Sequence, residues 1–154
     1  DIRGIKTLLT AMGNLQHVGP TGAGHAMKAL NNYVSAAGLV ASFQALATAI
    51  AAGISPETFI KVINSSTGRN NTTEVKLEKF VLPETFNSGF ALKLMAKDVN
   101  IARELINDAG YTTPATVALA ACLDAAVFTL GQQADHTALY TYITDKPDAK
   151  GFNR

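Results

Sequence analysis

The chain has 154 residues, of which 47% are hydrophobic and 16% charged, and its formal net charge is +1 at pH 7. This length is enough to bury a sizeable core, and the composition excludes a disordered chain and a surface that coats nucleic acid. Because charge is sparse, we expect part of the surface to be covered by a partner or by another domain.

Cys122 is the only cysteine, so no disulfide can form within the chain, which fits a reducing compartment and a cytoplasmic location. It lies in an alanine-rich run and is predicted to be a small core residue rather than a nucleophile. The first residues, Asp1-Ile-Arg-Gly4, lack the pattern of a signal peptide. Since no initiator methionine is present, we expect a fragment of something longer.

The first part of the chain predicts one helix and one short strand. Apolar residues recur there at helical spacing, with a glycine after them as a stop (Ile2, Ile5, Leu8, Leu9, Met12, Gly13). Residues 15–18 resemble a short strand that ends at Gly19-Pro20. One helix and one strand cannot form a stable unit by themselves, so residues 1–19 are predicted to be the remnant of a preceding α/β domain.

Residues 22–52 predict one long helix, which would be roughly 45 Å long. The stretch from Leu30 to Pro56 carries no charge, so a membrane span is an alternative. Its many Ala, Asn, Ser, Gln and Thr residues leave few Leu, Ile, Phe and Val for a spanning helix. We therefore expect a helix buried among other helices, and no membrane.

Five shorter helices are predicted after it, at about residues 55–66, 72–80, 92–109, 114–133 and 137–144. Ser55-Pro56-Glu57 supplies an N-cap, a first-turn proline and a first-turn acid, and Thr113-Pro114 opens a later helix in a similar way. The sequence thus predicts an all-α bundle over residues 20–145, built around the long helix, and a tail over residues 146–154.

A single lysine, Lys28, stands at the start of the uncharged run, with Asn31 and Asn32 on the same helix face. Gly22 and Gly24 lack side chains, so a ligand can approach the backbone there. Asparagines can orient a ligand or the ammonium, and a partly desolvated lysine suits proton exchange near neutral pH. The spacing alone equally allows a lysine that reaches to water with its stem over apolar surface.

Lys97 and Asp98 form the second charged feature. Lys97 falls on the polar side of its helix, whereas Asp98 is flanked by Leu94 and Ile101 and is predicted to face packed protein. The pattern favours a solvated lysine beside a structural carboxylate that caps or pairs locally. The alternative is a lysine that points across a cleft to an anionic or polar ligand.

Other candidate residues match no motif well. His17, His25 and His136 lack the spacing of metal ligands, so no metal site is predicted. Gly19-x-x-Gly22-x-Gly24 does not match the dinucleotide-binding pattern Gly-x-Gly-x-x-Gly. The polar loop around residues 64–70 is a candidate site lining, but such loops are usually solvated turns.

Four stretches in order resemble the β-hydroxyacid dehydrogenases, which include 3-hydroxyisobutyrate dehydrogenase, tartronate semialdehyde reductase and relatives of 6-phosphogluconate dehydrogenase. They are Gly22-x-Gly24-x-x-x-Lys28-x-x-Asn31-Asn32, Ile63-Asn-Ser-Ser-Thr-Gly68, Phe90-Ala-Leu-Lys-Leu-Met-Ala-Lys-Asp98, and the alanine-rich helix after Thr113-Pro114. The resemblance covers essentially the whole chain. It implies a helical domain like the C-terminal domain of 6-phosphogluconate dehydrogenase.

The resemblance also implies roles for individual residues. Lys28 matches the catalytic lysine, which acts at the substrate hydroxyl or carbonyl during hydride transfer, and Asn32 matches the residue that orients this lysine and the substrate. Gly24 and, less closely, Asn31 match substrate-binding positions. Lys97 matches a contact to the cofactor, NAD or NADP, while Asp98 belongs to the same motif without so clear a role.

The resemblance implies the C-terminal domain of an NAD(P)-dependent dehydrogenase that transfers a hydride between nicotinamide and a small 3-hydroxy acid or its semialdehyde. The nucleotide-binding sheet and its glycine-rich loop are not in this sequence. The chain alone is therefore expected to be inactive, to need a Rossmann domain of the same protein, and to form a homo-oligomer. A non-catalytic helical module for dimerisation or interaction is the alternative from another class.

Overall fold

The structure, a computed structural model, describes residues 5–11 and 13–145. The elements in this part of the chain are α1 (Lys6–Ala11), α2 (Ala23–Ala51), α3 (Pro56–Asn64), a π-helix (Thr72–Val81), α4 (Leu92–Asp108), α5 (Pro114–Leu130), a 3₁₀ helix (His136–Ala138) and α6 (Leu139–Thr144). None of the described residues forms a β-strand, and one isolated bridge pairs Ala91 with Asp135. The predicted all-α class is confirmed. The predicted tail, together with Ile2 and Met12, lies outside the described residues.

The long helix α2 agrees with its predicted bounds to within one residue at each end. Two glycines with positive φ flank it, Gly22 at 95° and Gly53 at 84°, and a left-handed backbone at these positions is costly for any other residue type. Among its neighbours, α4 makes extensive contacts with both α2 and α5, whereas α2 and α5 touch little. Helix α4 therefore lies between the other two.

The hydrophobic core is one cluster that runs across these three helices and the shorter elements around them. Its fully buried large side chains are Leu39, Phe43 and Leu46 of α2, Leu92 and Val99 of α4, Leu123 of α5, Leu77 of the π-helix and Leu139 of α6. Cys122, predicted to be a core residue, is only half-buried on α5, because it lies beside the inward-facing stripe rather than on it.

By length and composition alone, α2 could also cross a membrane, since its most apolar 18 residues have a mean hydropathy of 1.6. These two properties are weak evidence, because the core helix of a water-soluble bundle shares them. In this structure the large apolar side chains in the middle of α2 pack into the core, which accounts for much of its hydrophobicity.

Side-chain caps fix the starts of two helices where the sequence predicts them. Ser55 accepts a hydrogen bond from the Thr58 N–H at 3.2 Å before α3. Thr113 and Thr116 form a reciprocal capping box at the start of α5. Each cap satisfies backbone N–H groups that have no partner within the helix.

Three details of the predicted elements are wrong. Residues 15–18 have no regular structure rather than a strand, because none of the described residues offers a strand edge to pair with them. The predicted α-helix over residues 72–80 is a π-helix, whose i→i+5 hydrogen bonds place Thr72, Leu77 and Val81 on one buried face. Helix α5 ends at Leu130, three residues early, because Gly131 leaves the helical region with φ of 88°.

The start of α4 is fixed by the carboxylate of Asp135. Its oxygens accept hydrogen bonds from the Ser88 hydroxyl at 2.8 and 2.9 Å, from the Gly89 N–H at 2.9 Å and from the Thr137 N–H at 2.9 Å. Burial alone would raise the pKa of Asp135, but the hydrogen bonds from Thr137 and Ser88 outweigh it and hold that pKa below its usual value. The charged carboxylate thus joins residues 88–90 to the segment before α6.

His136, next in sequence, is buried against the same segment. Its Nδ1 lies 3.1 Å from the Phe90 carbonyl oxygen, and because a carbonyl can only accept, that nitrogen carries the proton when this bond forms. Burial, together with the charge of Lys76, lowers the pKa of His136. His136 is therefore a structural residue, and among the described residues no three His, Cys, Asp or Glu side chains cluster in a way that could hold a metal ion.

A substitution at Phe43 tests the described packing of the hydrophobic core. The Phe43 ring is fully buried and meets the Tyr140 ring edge-on, with centroids 5.6 Å apart. We expect Phe43→Ala to lower the free energy of unfolding by about 3–5 kcal/mol, through lost burial and a residual cavity. Chemical denaturation followed by circular dichroism measures it. The matched control is Phe128→Ala, because Phe128 is 92% exposed, and its effect should stay within about 0.5 kcal/mol. Equal losses in the two variants would contradict the described packing.

Candidate functional site

Lys28, in the second turn of α2, meets Asp98 of α4. The Lys28 Nζ donates a hydrogen bond to Asp98 Oδ2 at 2.6 Å, and the Asn32 Nδ2 donates to the same oxygen at 2.6 Å. The Asp98 side chain is only 10% exposed, whereas the Lys28 side chain is 64% exposed. A buried carboxylate on one helix thus holds two side chains that lie four residues apart on the other.

The pKa of Asp98 reflects two opposing effects. Burial alone would raise it, because a charged carboxylate loses hydration. The hydrogen bonds from Lys28 and Asn32 and the positive charges of Lys28 and Lys97 outweigh that penalty, and the pKa of Asp98 lies below its ordinary value. Asp98 is therefore a carboxylate at neutral pH and accepts from both donors.

The other predicted site residues lie around this cluster. The Asn31 Nδ2 donates to the Asn32 Oδ1 at 3.3 Å, so Asn31 joins the cluster through its neighbour. Gly24 lies one turn before Lys28, and a Cβ placed there would meet nothing within 4 Å, so packing in this structure does not require glycine. Lys97 is exposed beside Asp98 on α4.

One expectation about the charged residues is wrong. Asp98 was expected to cap or pair locally, but its partners lie 70 and 66 residues away in the sequence. For Lys28 the spacing allowed either a partly desolvated side chain or one that reaches to water, and within the described residues the side chain is mostly exposed. The sequence did contain a signal for the pairing of Lys28 with Asp98. A carboxylate in the apolar part of one helix and a lysine in the apolar part of another each need a partner.

This arrangement can hold a small polar molecule at Lys28. A lysine ammonium has three N–H donors, and Asp98 accepts from one of them. The exposed side of the ammonium is therefore open to an oxygen atom of a ligand. On the protein side, Asp98 and Asn32 hold the cluster in a fixed position. Proton transfer at a defined atom requires such a fixed position.

A cavity of about 420 Å³ adjoins the cluster. It lies between α2 and the start of the π-helix, and its lining residues are Asn31, Val34, Ser35, Gly38, Asn70, Asn71 and Thr72. Asn31 is common to the cavity and to the hydrogen-bonded chain that leads through Asn32 to Asp98. We call this cavity the amide groove.

Comparison with known proteins defines the class. Residues 22–143 match the family model described as NAD-binding of NADP-dependent 3-hydroxyisobutyrate dehydrogenase. The match covers most of the chain, which therefore belongs to this family, within the β-hydroxyacid dehydrogenases.

Individual relatives agree with this assignment. The 2-(hydroxymethyl)glutarate dehydrogenase of Eubacterium barkeri is 35% identical over 113 residues, which cover 73% of this chain and 38% of that protein. The NAD-dependent L-serine dehydrogenase of Pseudomonas aeruginosa is 31% identical over 116 residues, which cover 71% and 39%. The chain thus spans about two fifths of the length of these relatives.

Solved structures share the fold. The 3-hydroxyisobutyrate dehydrogenase of Mycobacterium tuberculosis, determined with L-serine, matches with a TM-score of 0.81 and 25% sequence identity, over 92% of this chain and 51% of that one. The 3-hydroxyisobutyrate dehydrogenase of Salmonella typhimurium matches with a TM-score of 0.80 at 19% identity, which supports the fold alone.

The hydrogen bonds of Asp98 predict how its carboxyl titrates. In Lys28→Met we expect the pKa of Asp98 to rise, because a direct donor and a positive charge are lost while burial remains. Carbon-13 NMR of the labelled carboxyl carbon, followed against pH, measures this midpoint. Lys61→Met, at an exposed position in the last turn of α3, is the control and should leave the midpoint in place. An unchanged pKa in Lys28→Met would rule out the pairing.

Proposed function

We propose that this chain is the substrate-binding and catalytic helical domain of an NAD(P)-dependent dehydrogenase that acts on small 3-hydroxy acids. The observation that carries the proposal is the Lys28–Asn32–Asp98 cluster, in which a buried carboxylate positions an exposed ammonium. Family membership supports the reaction class. The relatives' names support the substrate class, because 2-(hydroxymethyl)glutarate, L-serine and 3-hydroxyisobutyrate all carry a hydroxyl group on the carbon β to a carboxylate.

Lys28 is the proposed proton donor and acceptor. When the hydroxy acid is oxidised, Lys28 in its neutral amine form accepts the hydroxyl proton at Nζ as the hydride leaves the same carbon and the C–O bond becomes C=O. In the reverse direction the Lys28 ammonium returns that proton to the oxygen. Asp98, itself held by Asn32, keeps Nζ at one place beside the reacting oxygen, while Asn31 and the open backbone at Gly24 contact the substrate. A bound nicotinamide would supply the hydride acceptor for the oxidation and the hydride donor for the reduction.

The residues of this chain fit one side of a dinucleotide site. The exposed ammonium of Lys97 suits a molecule that carries phosphate groups. Among the described residues no strand leads through a glycine-rich loop into a helix, which is the usual phosphate cradle. We therefore propose that a Rossmann domain of the same protein binds most of NAD or NADP, and that this chain alone is inactive. The coverage of its relatives supports this division.

Exposed apolar side chains bear on the assembly and on the alternative function. Phe128 on α5 is 92% exposed and Val34 on α2 is 68% exposed, and such side chains favour association. We propose a homo-oligomer, in the reducing cytoplasm that a single cysteine suits. A non-catalytic interaction module would expose the same surface, so the decisive test concerns the chemistry of Lys28.

In the full-length enzyme, we expect Lys28→Ala to lower kcat by about 10²–10⁴-fold, because the proton at the substrate oxygen loses its acceptor and donor. The dissociation constant for the cofactor should stay unchanged. Steady-state kinetics and cofactor titration measure the two quantities, and Lys61→Ala is the matched control on the exposed side of α3. Near-normal turnover in Lys28→Ala would refute the catalytic assignment and favour the interaction module.

Lys97→Ala should act on binding instead. Loss of a charge-assisted contact predicts a dissociation constant for NAD(P)H about tenfold higher. Titration of the reduced cofactor by its fluorescence gives this constant without turnover. If the constant does not change, Lys97 does not contact the cofactor.

A further inference from the structure

We propose that the amide groove binds the C2 substituent of the 3-hydroxy acid, and that this substituent is an uncharged, hydrogen-bonding chain such as a carboxamidoethyl group. The inference rests on the function proposed above and adds the substrate class. On this proposal, the side chains of Asn31, Ser35 and Asn71 determine which substrates the enzyme prefers.

The chemistry of the relatives shows where specificity must be decided. L-serine, 3-hydroxyisobutyrate and 2-(hydroxymethyl)glutarate share the unit HOCH₂–CH–COO⁻. They differ in the group on C2, which is an ammonium, a methyl or a carboxyethyl group respectively. An enzyme that tells such substrates apart must contact this group, since the reacting hydroxyl and the carboxylate are common to all three.

The groove lies where the C2 substituent would reach. Lys28, Asn31, Ser35 and Gly38 follow one another at spacings of three and four along α2, and therefore share one face. The groove begins at Asn31, one turn beyond Lys28. With its hydroxyl oxygen at Lys28 Nζ, a 3-hydroxy acid has the first atom of its C2 substituent three bonds away, and the groove begins about one helical turn, roughly 5 Å, along α2.

The size of the groove favours a substituent of several atoms. Its volume of about 420 Å³ lies within the range of small-molecule sites. A methyl group would leave most of it to water and would satisfy none of its polar groups.

The lining favours an uncharged polar group. None of its seven lining residues is charged, so an ion would give up hydration there without an opposite charge. The nearest arginine in sequence, Arg69, already faces Glu74, with Nε 3.6 Å from Oε1. An amide substituent can both donate to and accept from the side chains of the groove.

Part of the lining is committed to the fold and part is available. Asn70 Oδ1 accepts from the Thr72 N–H at 2.8 Å, and its Nδ2 donates to Ser42 Oγ at 3.0 Å. Asn70 is therefore a structural wall of the groove. The side chains of Ser35 and Asn71 make no hydrogen bond to another described residue, and Asn71 is exposed at the groove, so both can bind a ligand.

The experiment uses the full-length enzyme with NAD(P) and three acids that share HOCH₂–CH–COO⁻ and carry methyl, carboxyethyl or carboxamidoethyl on C2. We expect kcat/KM to be highest for the carboxamidoethyl acid, by about tenfold or more over the methyl acid. In Asn71→Leu the ratio of these two values should fall by about fivefold or more, through a lost hydrogen bond. Asn87→Leu, at an exposed loop position outside the groove, is the matched control and should leave the ratio unchanged.

A second variant, Asn71→Asp, keeps the shape and adds a negative charge. It should depress kcat/KM for the carboxyethyl acid more than for the carboxamidoethyl acid. Two results would overturn the inference and leave the proposed function intact. One is a wild-type preference for the methyl or carboxyethyl acid, and the other is that neither Asn71 variant changes the ratios of kcat/KM between the acids. Oxidation of none of the acids would overturn both.

Discussion

The structure around the candidate site depends on the cost of placing the Asp98 carboxylate out of water. A carboxylate with a mostly buried side chain needs donors, and both of the strong ones come from α2, at 2.6 Å each. Removing either donor would leave part of the desolvation cost uncompensated. The interaction therefore ties the first turns of α2 to the middle of α4 and gives Lys28 and Asn32 a fixed place relative to each other.

A second buried carboxylate, Asp135, acts in a related way at the start of α4. It gathers hydroxyl and backbone donors from residues 88–90 and from Thr137, and the Leu92 N–H donates to the Ala134 carbonyl oxygen at 2.8 Å. Helix α4 can neither slide nor rotate without breaking these bonds. The position of Asp98 opposite Lys28 is therefore set by these bonds at the start of α4 and by the two hydrogen bonds that Asp98 accepts from α2.

The exposed side of the Lys28 ammonium is the part of the ion pair that a ligand can reach. A fully enclosed lysine would be satisfied by the protein, whereas Lys28 is held on one side and open on the other. The same helix face continues into the amide groove, so one helix presents both the group proposed to move a proton and the surface proposed to choose the substrate. Rigid placement on one helix favours accurate positioning of both.

Local rules, which involve residues within about four positions, predicted much of the fold. Glycines at the ends of α2, the Ser55 cap and the Thr113-Pro114 start gave bounds close to those observed, and the motif around Lys28 put Asn32 on its face. Sequence could not show that Asp98 pairs with α2, because a helical pattern tells that a residue faces inward but not which distant helix it meets. The π-helix and the unpaired residues 15–18 were missed for the same reason, and the exposure of Lys28 was left open. Each depends on what packs beside the segment, and only the tertiary structure brings together partners that are 66 and 70 residues apart.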